Sequence, residues 1–199
     1  MKKLPRSFYL GSTLRIAKAL LGKHIVRNYR GKKLVGRIVE VEAYRGSLDP
    51  ASHAYHGRTK RNEVMFWEGG HLYVYFTYGM HFCANVVTRG RGIGEAVLIR
   101  AVEPVEGIEI MRRLRGKNGE GTNLCSGPAN FCQAFGIKRP QNGVDLLGED
   151  IYLLAGEEIP NSQIQTTTRV GIRKGTEKKW RFCVKGNPWV SGAGRNSGR

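Results

Sequence analysis

The sequence predicts an α+β fold, a single mixed domain with a curved, largely antiparallel β-sheet, flanking helices and a protruding β-hairpin. Three observations carry this. Two pairs of period-two segments are joined by tight turns, as antiparallel neighbours are. Helical periodicity is confined to three short stretches. The 199 residues, 40% of them hydrophobic, contain neither an internal repeat nor a dividing linker, so one core is expected. Residues 1–190 are read as that domain, and residues 191–199, rich in Gly, Ser and Arg, as a flexible tail.

Ser12 stands where it can cap a helix through Leu14, Ala17, Leu20 and Leu21, and Gly22 where a helix-ending glycine belongs. Residues 24–27 and 34–44 read as strands joined by the turn Tyr29-Arg30-Gly31-Lys32. In the second strand, period two puts Val39, Val41 and Ala43 on one face and Ile38, Glu40, Glu42 and Tyr44 on the other. Two carboxylates therefore share a face with a tyrosine. Residues 45–70 lack a clean period and read as a long irregular loop, a kind of segment that is usually functional. Residues 71–88, the most aromatic stretch, read as a hairpin turning at Tyr78-Gly79. The run Gly90-Arg91-Gly92-Ile93-Gly94 leads into a strand at 96–100 rather than a helix, so it is not a dinucleotide loop. A helix over 106–115, a flexible loop over 116–122 and a helix capped by Ser126, with Pro128 in its first turn and Gly136 at its end, follow. Short strands are expected at 151–154, 169–172 and 181–184.

Charge narrows the function. Lys and Arg number 33 against 16 Asp and Glu, a formal net charge of +17, which points to a polyanionic partner, most often nucleic acid. Lys174, Lys178, Lys179, Arg195 and Arg199 are read as a solvated face and tail. No apolar run approaches the roughly 20 residues that span a bilayer, and the basic Met1-Lys2-Lys3-Leu4-Pro5-Arg6 lacks a following apolar segment. No membrane partner is expected, and the expected location is cytoplasmic. Cys83, Cys125, Cys132 and Cys183 form no C-x-x-C pair and read as free thiols. The zinc-deaminase pattern H-x-E…P-C-x-x-C is missing, and neither a metal nor a cofactor is expected.

One ordered set of motifs is specific. Glu42-Ala43-Tyr44, His53, Leu72-Tyr73-Val74-Tyr75-Phe76-Thr77-Tyr78-Gly79-Met80, Asn85 and Leu98-Ile99-Arg100-Ala101-Val102-Glu103-Pro104 come first. Cys125-Ser126-Gly127-Pro128, Arg169-Val170-Gly171 and Asn187-Pro188-Trp189-Val190-Ser191 follow. Together they closely resemble the alkyladenine (3-methyladenine) DNA glycosylase family, methylpurine-DNA glycosylase type, over roughly residues 8–191.

The resemblance implies a monofunctional base-excision repair enzyme. It would flip alkylated or deaminated purines (3-methyladenine, 7-methylguanine, hypoxanthine, ethenoadenine) from duplex DNA and hydrolyse the N-glycosidic bond. Glu42 takes the role of general base, its water also held by Arg100 and the Val170 backbone carbonyl. Tyr44 and Tyr75 sandwich the base, His53 hydrogen-bonds it, and Asn85 crowds the exocyclic amino group of guanine. Tyr78, with Met80 beside it, wedges into the gap left in the duplex, and Tyr73 is read as core packing. No lysine occupies a matched catalytic position, so an intact abasic strand is the expected product, made by a monomer that would be nucleoid-associated in a bacterium. The chemistry fits, because an oxocarbenium-like centre needs a carboxylate to deprotonate water and balance developing charge. A competing reading is a non-catalytic protein that binds bent or lesioned DNA or structured RNA with the same face.

Overall fold

The longest strand, β2 (Lys32–Arg45), organises the fold in the computed structural model, which describes residues 1–77, 79–116 and 119–192. Arg30 and Gly31 take positive φ of 50° and 75°, the two-residue hairpin geometry that matches strand twist. They fold β1 (His24–Tyr29) onto the first half of β2. Along the opposite edge β2 pairs with β5 (Glu95–Glu106), β5 with β4 (His81–Thr88), and β4 with β3 (Leu72–Thr77). Beyond β1 lies β6 (Ile151–Leu154). The second half of β2 takes a different neighbour on that side: β8 (Arg181–Val184) pairs opposite Glu40, Val41 and Glu42, and β7 (Ile164–Thr167) pairs with β8. The sheet thus forks where the two carboxylates sit, and all pairings among the described strands are antiparallel. With α1 (Arg6–Tyr9), α2 (Thr13–Leu20), α3 (Ile108–Arg115) and α4 (Pro128–Ala134) this is an α+β domain.

One sheet face packs the main core. Val41 and Ala43 of β2, Val97 and Ile99 of β5, and Ala84 and Val86 of β4 meet Ile16, Met111 and Phe131 of the helices there. The residues between them turn to the other face, where Tyr73, Val87 and Ala96 form a smaller cluster with Ala54, Val64 and Met65 from the loop. This second face carries the site.

Several local expectations are corrected. Ile38 joins the main core with Val41 and Ala43 rather than sharing a face with Glu42. Register shifts between Ile38 and Glu40 and between Glu40 and Val41 break the period. Ser12 precedes α2 but makes no side-chain cap bond. The residue before α4 is Gly127, at φ 103°, not Ser126. β5 continues to Glu106, so α3 begins at Ile108. No strand forms over 169–172: Gly171 sits at φ 78°, and the unanticipated strand is β7 instead. Within the 116–122 loop, residues 117 and 118 lie outside the described residues. Among the described residues no helix is long and apolar enough to cross a membrane, and all four cysteines are free and buried.

Candidate active site

Glu42 has no exposed side-chain surface, and three groups hold it. Its Oε1 accepts the Val170 N–H at 2.8 Å and lies 3.3 Å from Arg100 Nη1. Its Oε2 accepts the Tyr44 hydroxyl at 2.9 Å. Tyr44, Arg100 and Val170 also line a cavity of about 490 Å³, together with His53, Tyr75 and Asn85. The carboxylate itself is not part of the lining, whereas all three of its partners are. At Val170 the backbone N–H bonds Glu42 directly, a contact that the sequence reading, which assigned the Val170 carbonyl to the water, did not include.

The electrostatics follow from burial and pairing. Burial works against the Arg100 charge, but Glu42 and Glu40 on either side hold its pKa above the ordinary guanidinium value. Burial, and then the charge and hydrogen bond of Glu42, push the Tyr44 hydroxyl up, so it stays a donor to the carboxylate. Burial and the nearby Cys83 do the same for Tyr75. Burial, aided by the Arg61 charge, lowers the pKa of His53. A neutral ring results, with its Nδ1 3.0 Å from the Tyr73 hydroxyl, which burial has pushed up to about 12. Asn85 sits opposite Tyr73 in the β3–β4 ladder and donates from Nδ2 to the Tyr73 carbonyl at 3.1 Å.

The structure thus brings Glu42, Tyr44, His53, Tyr75, Asn85, Arg100 and Val170 to one place. Met80 is elsewhere, 69% exposed at the tip of the β3–β4 hairpin, and Tyr78 lies outside the described residues. An aromatic cleft with a paired carboxylate next to its lining is suited to holding a planar base.

The model of the family described as methylpurine-DNA glycosylase (MPG) matches residues 7–188. The chain belongs to the methylpurine-DNA glycosylase family. It is a DNA glycosylase, a hydrolase of N-glycosidic bonds. Among its relatives is a protein of Carboxydothermus hydrogenoformans, 53% identical over 189 residues, covering 94% of this chain and 98% of the relative. Relatives in Burkholderia lata, at 48% identity over 95% of this chain and 91% of theirs, and Clostridium acetobutylicum, at 46% over 95% and 97%, bear the same name, "Putative 3-methyladenine DNA glycosylase".

In this glycosylase four supporting residues were not singled out by sequence reasoning. Glu40, also without exposed side-chain surface, accepts Arg100 Nε at 2.9 Å, Arg181 Nε at 2.6 Å and the Ser191 hydroxyl at 2.8 Å on Oε1, and the Ser191 N–H at 2.6 Å on Oε2. It fixes Arg100 from behind and anchors Ser191, the residue at which the tail was expected to begin. Asp49 and Arg169 form a doubly hydrogen-bonded pair with no exposed side-chain surface. The Arg169 guanidinium also donates to the Ala43 carbonyl and lies 4.7 Å from the Tyr44 ring centroid, so one arginine ties Val170's segment to Tyr44. Asn62 donates to the His53 and Gly57 carbonyls at 2.8 and 2.9 Å, which staples the His53 loop. Tyr73, read as core packing, is in the core but its hydroxyl also orients His53. The signal for these residues was weak, because each is an ordinary polar residue whose partner lies 60 or more positions away or inside an aperiodic loop.

Proposed function

We propose that this chain removes alkylated and deaminated purines, among them 3-methyladenine, 7-methylguanine, hypoxanthine and ethenoadenine, from duplex DNA as a monomeric cytoplasmic enzyme whose catalytic domain is residues 1–190. The damaged nucleotide swings out of the stack into the aromatic cavity. Tyr44 and Tyr75 stack on its two faces, His53 hydrogen-bonds its edge, and Asn85 excludes the exocyclic amino group of guanine. Met80, with Tyr78, fills the gap that the nucleotide leaves in the duplex.

Glu42 then takes a proton from a water as that water's oxygen bonds to C1′, while the electron pair of the C1′–N bond leaves with the base. The carboxylate also balances positive charge developing on the sugar. The product is a free base and an abasic site in an unbroken strand. The observation that supports this best is Glu42 itself, a fully buried carboxylate shared by Arg100, Tyr44 and Val170 at the back wall of the cavity.

The test is a single-turnover assay on a labelled duplex carrying one hypoxanthine opposite thymine, repeated with 3-methyladenine, each sample split with and without hot alkali. Wild type is expected to give cleavage that depends on alkali, and Glu42→Gln to bind the lesion duplex but release no base. Near-full excision by Glu42→Gln would refute the mechanism. Tight binding without excision by wild type would favour the non-catalytic DNA binder.

A further inference from the structure

A second cavity, of about 670 Å³, shares no residue with the base pocket. It runs between the hairpin and α4, walled by Met80 and Phe82 on one side, Cys132 and Gln133 on another, and Arg27 and Tyr29 of β1. The hairpin separates the two cavities: Tyr75 and Cys83 line the base pocket, while Phe82, one residue along, lines the groove.

Arg27 is the anomaly. It is only 7% exposed, yet its Nε and Nη1 have no hydrogen-bond partner, and among the described residues no carboxylate forms an ion pair with it. The other buried arginines have partners: Arg100 pairs with Glu40 and Glu42, Arg169 with Asp49, and Arg115 bonds the Gln133 side chain and the Asn123 carbonyl. A guanidinium removed from water without a partner is costly, and burial accordingly lowers its pKa. Asp150 answers the charge only in part, working against the burial without an ion pair, while the groove lining contains no Asp or Glu and adds a second cation, the exposed Lys138. The Tyr29 ring, 5.7 Å away, is the one other contact of note.

We infer that this groove holds a backbone phosphate of the DNA strand opposite the extruded nucleotide, with Arg27 and Lys138 as its cationic partners. A guanidinium fork matches the oxygens of a phosphodiester, and Arg27, which lines the groove, turns its buried Nε and Nη1 toward the bound phosphate. The choice of strand rests on the reading that the hairpin tip enters the duplex. Met80 belongs both to that tip and to the groove wall. With the damaged nucleotide on the base-pocket side of the hairpin, the other strand is left on the groove side.

The experiment compares wild type, Arg27→Gln and Lys138→Gln for binding to a lesion duplex and to the lesion strand alone, across 50 to 200 mM salt. Lys138 is exposed, so its variant keeps the test valid should Arg27→Gln fold poorly. Each lost phosphate contact is expected to reduce the slope of log K against log salt by about 0.9, shrinking the affinity ratio across that range about 3.5-fold. The lesion strand alone should show no such change. Neutralising single phosphates of the undamaged strand as methylphosphonates should weaken wild type at one or two positions and leave Arg27→Gln insensitive there.

Unchanged slopes in both variants, or equal changes on duplex and single strand, would overturn the inference. So would inorganic phosphate that protects Arg27 without being displaced by duplex, which would make this a free-anion site. Wild-type excision on the same duplex tests the glycosylase reading separately: excision with unchanged slopes removes the groove alone, and slope changes without excision remove the catalytic reading alone.

Discussion

Glu40 and Glu42 stand two residues apart on β2, both fully buried, and replacing each by glutamine should separate two kinds of work. At Glu40 both oxygens are occupied by donors, three on Oε1 and the Ser191 N–H on Oε2. Whichever way a glutamine amide is turned, its NH₂ confronts a donor, and two guanidinium groups lose their buried counter-charge. Removing one partner of a buried ion pair costs about 3 to 5 kcal/mol. The low end applies here because Arg100 keeps Glu42 at 3.3 Å. At Glu42 the amide can settle: its oxygen accepts the Val170 N–H, its NH₂ donates to the Tyr44 hydroxyl, and Arg100 remains held by Glu40. A cost of about 1 kcal/mol is expected there. For a chain of this size about 3 kcal/mol lowers the melting temperature by roughly 6 to 12 °C. Glu40→Gln should therefore melt far below wild type yet retain measurable excision at low temperature, while Glu42→Gln should melt near wild type and excise nothing. A Glu40→Gln melting point within 2 °C of wild type, or equal melting points for the two variants, would refute the reasoning.

Two further outcomes are expected. His53 should titrate below its ordinary value of 6.5, since burial and Arg61 disfavour its charge. The unfolded chain then takes up the proton first, so the stability linked to His53 is full above about pH 6.5 and is lost as pH falls through that value towards the folded-state pKa. Ring-nitrogen NMR shifts that show His53 charging at or above pH 6.5 would contradict this. Asn85→Ser shortens the side chain fixed to the Tyr73 carbonyl and should relax exclusion of guanine. The ratio of excision rates for hypoxanthine and normal guanine in paired duplexes measures it, and an unchanged ratio would remove Asn85 from discrimination.

What could be read in advance divides along physical lines. Period two on β2 sorted Val41 and Ala43 into the core, because a strand's side-chain direction is a local property. Glu42 and Tyr44 were sorted correctly too, but Ile38 was not, since the bulge lies in the β2–β5 ladder and is set by pairing with β5 rather than by β2's own residues alone. The segment 169–172 misled for a similar reason. Its Arg-Val-Gly-Ile pattern suits a strand, yet Arg169 is held by Asp49 from 120 positions earlier, and that partnership, with Gly171 at positive φ, holds it as a loop. Motif likeness could point to Val170 without disclosing that its N–H bonds Glu42 directly. The same limit hid Glu40, whose partners Arg100, Arg181 and Ser191 lie on three separate segments.

The charge distribution explains why these long-range pairs are needed. A formal charge of +17 suits a DNA-binding surface but opposes a cationic base, and N-alkylated purines carry a positive charge while attached to the sugar. One unbalanced unit charge about 4 Å from such a base would cost roughly 4 kcal/mol at an effective dielectric of 20. Behind the cavity, however, Glu40, Glu42 and Asp49 face Arg100, Arg169 and Arg181, three charges against three. Surface lysines and arginines beyond about 8 to 10 Å are largely screened by salt. The buried wall is thus balanced inside a strongly positive protein, while Arg173 and Lys174, both exposed, add two cations to the lining. That arrangement lets one chain attract a polyanion at its surface and still admit a cation to its interior. It also makes Asp49 and Glu40 part of the conditions for binding the base although neither lines the cavity.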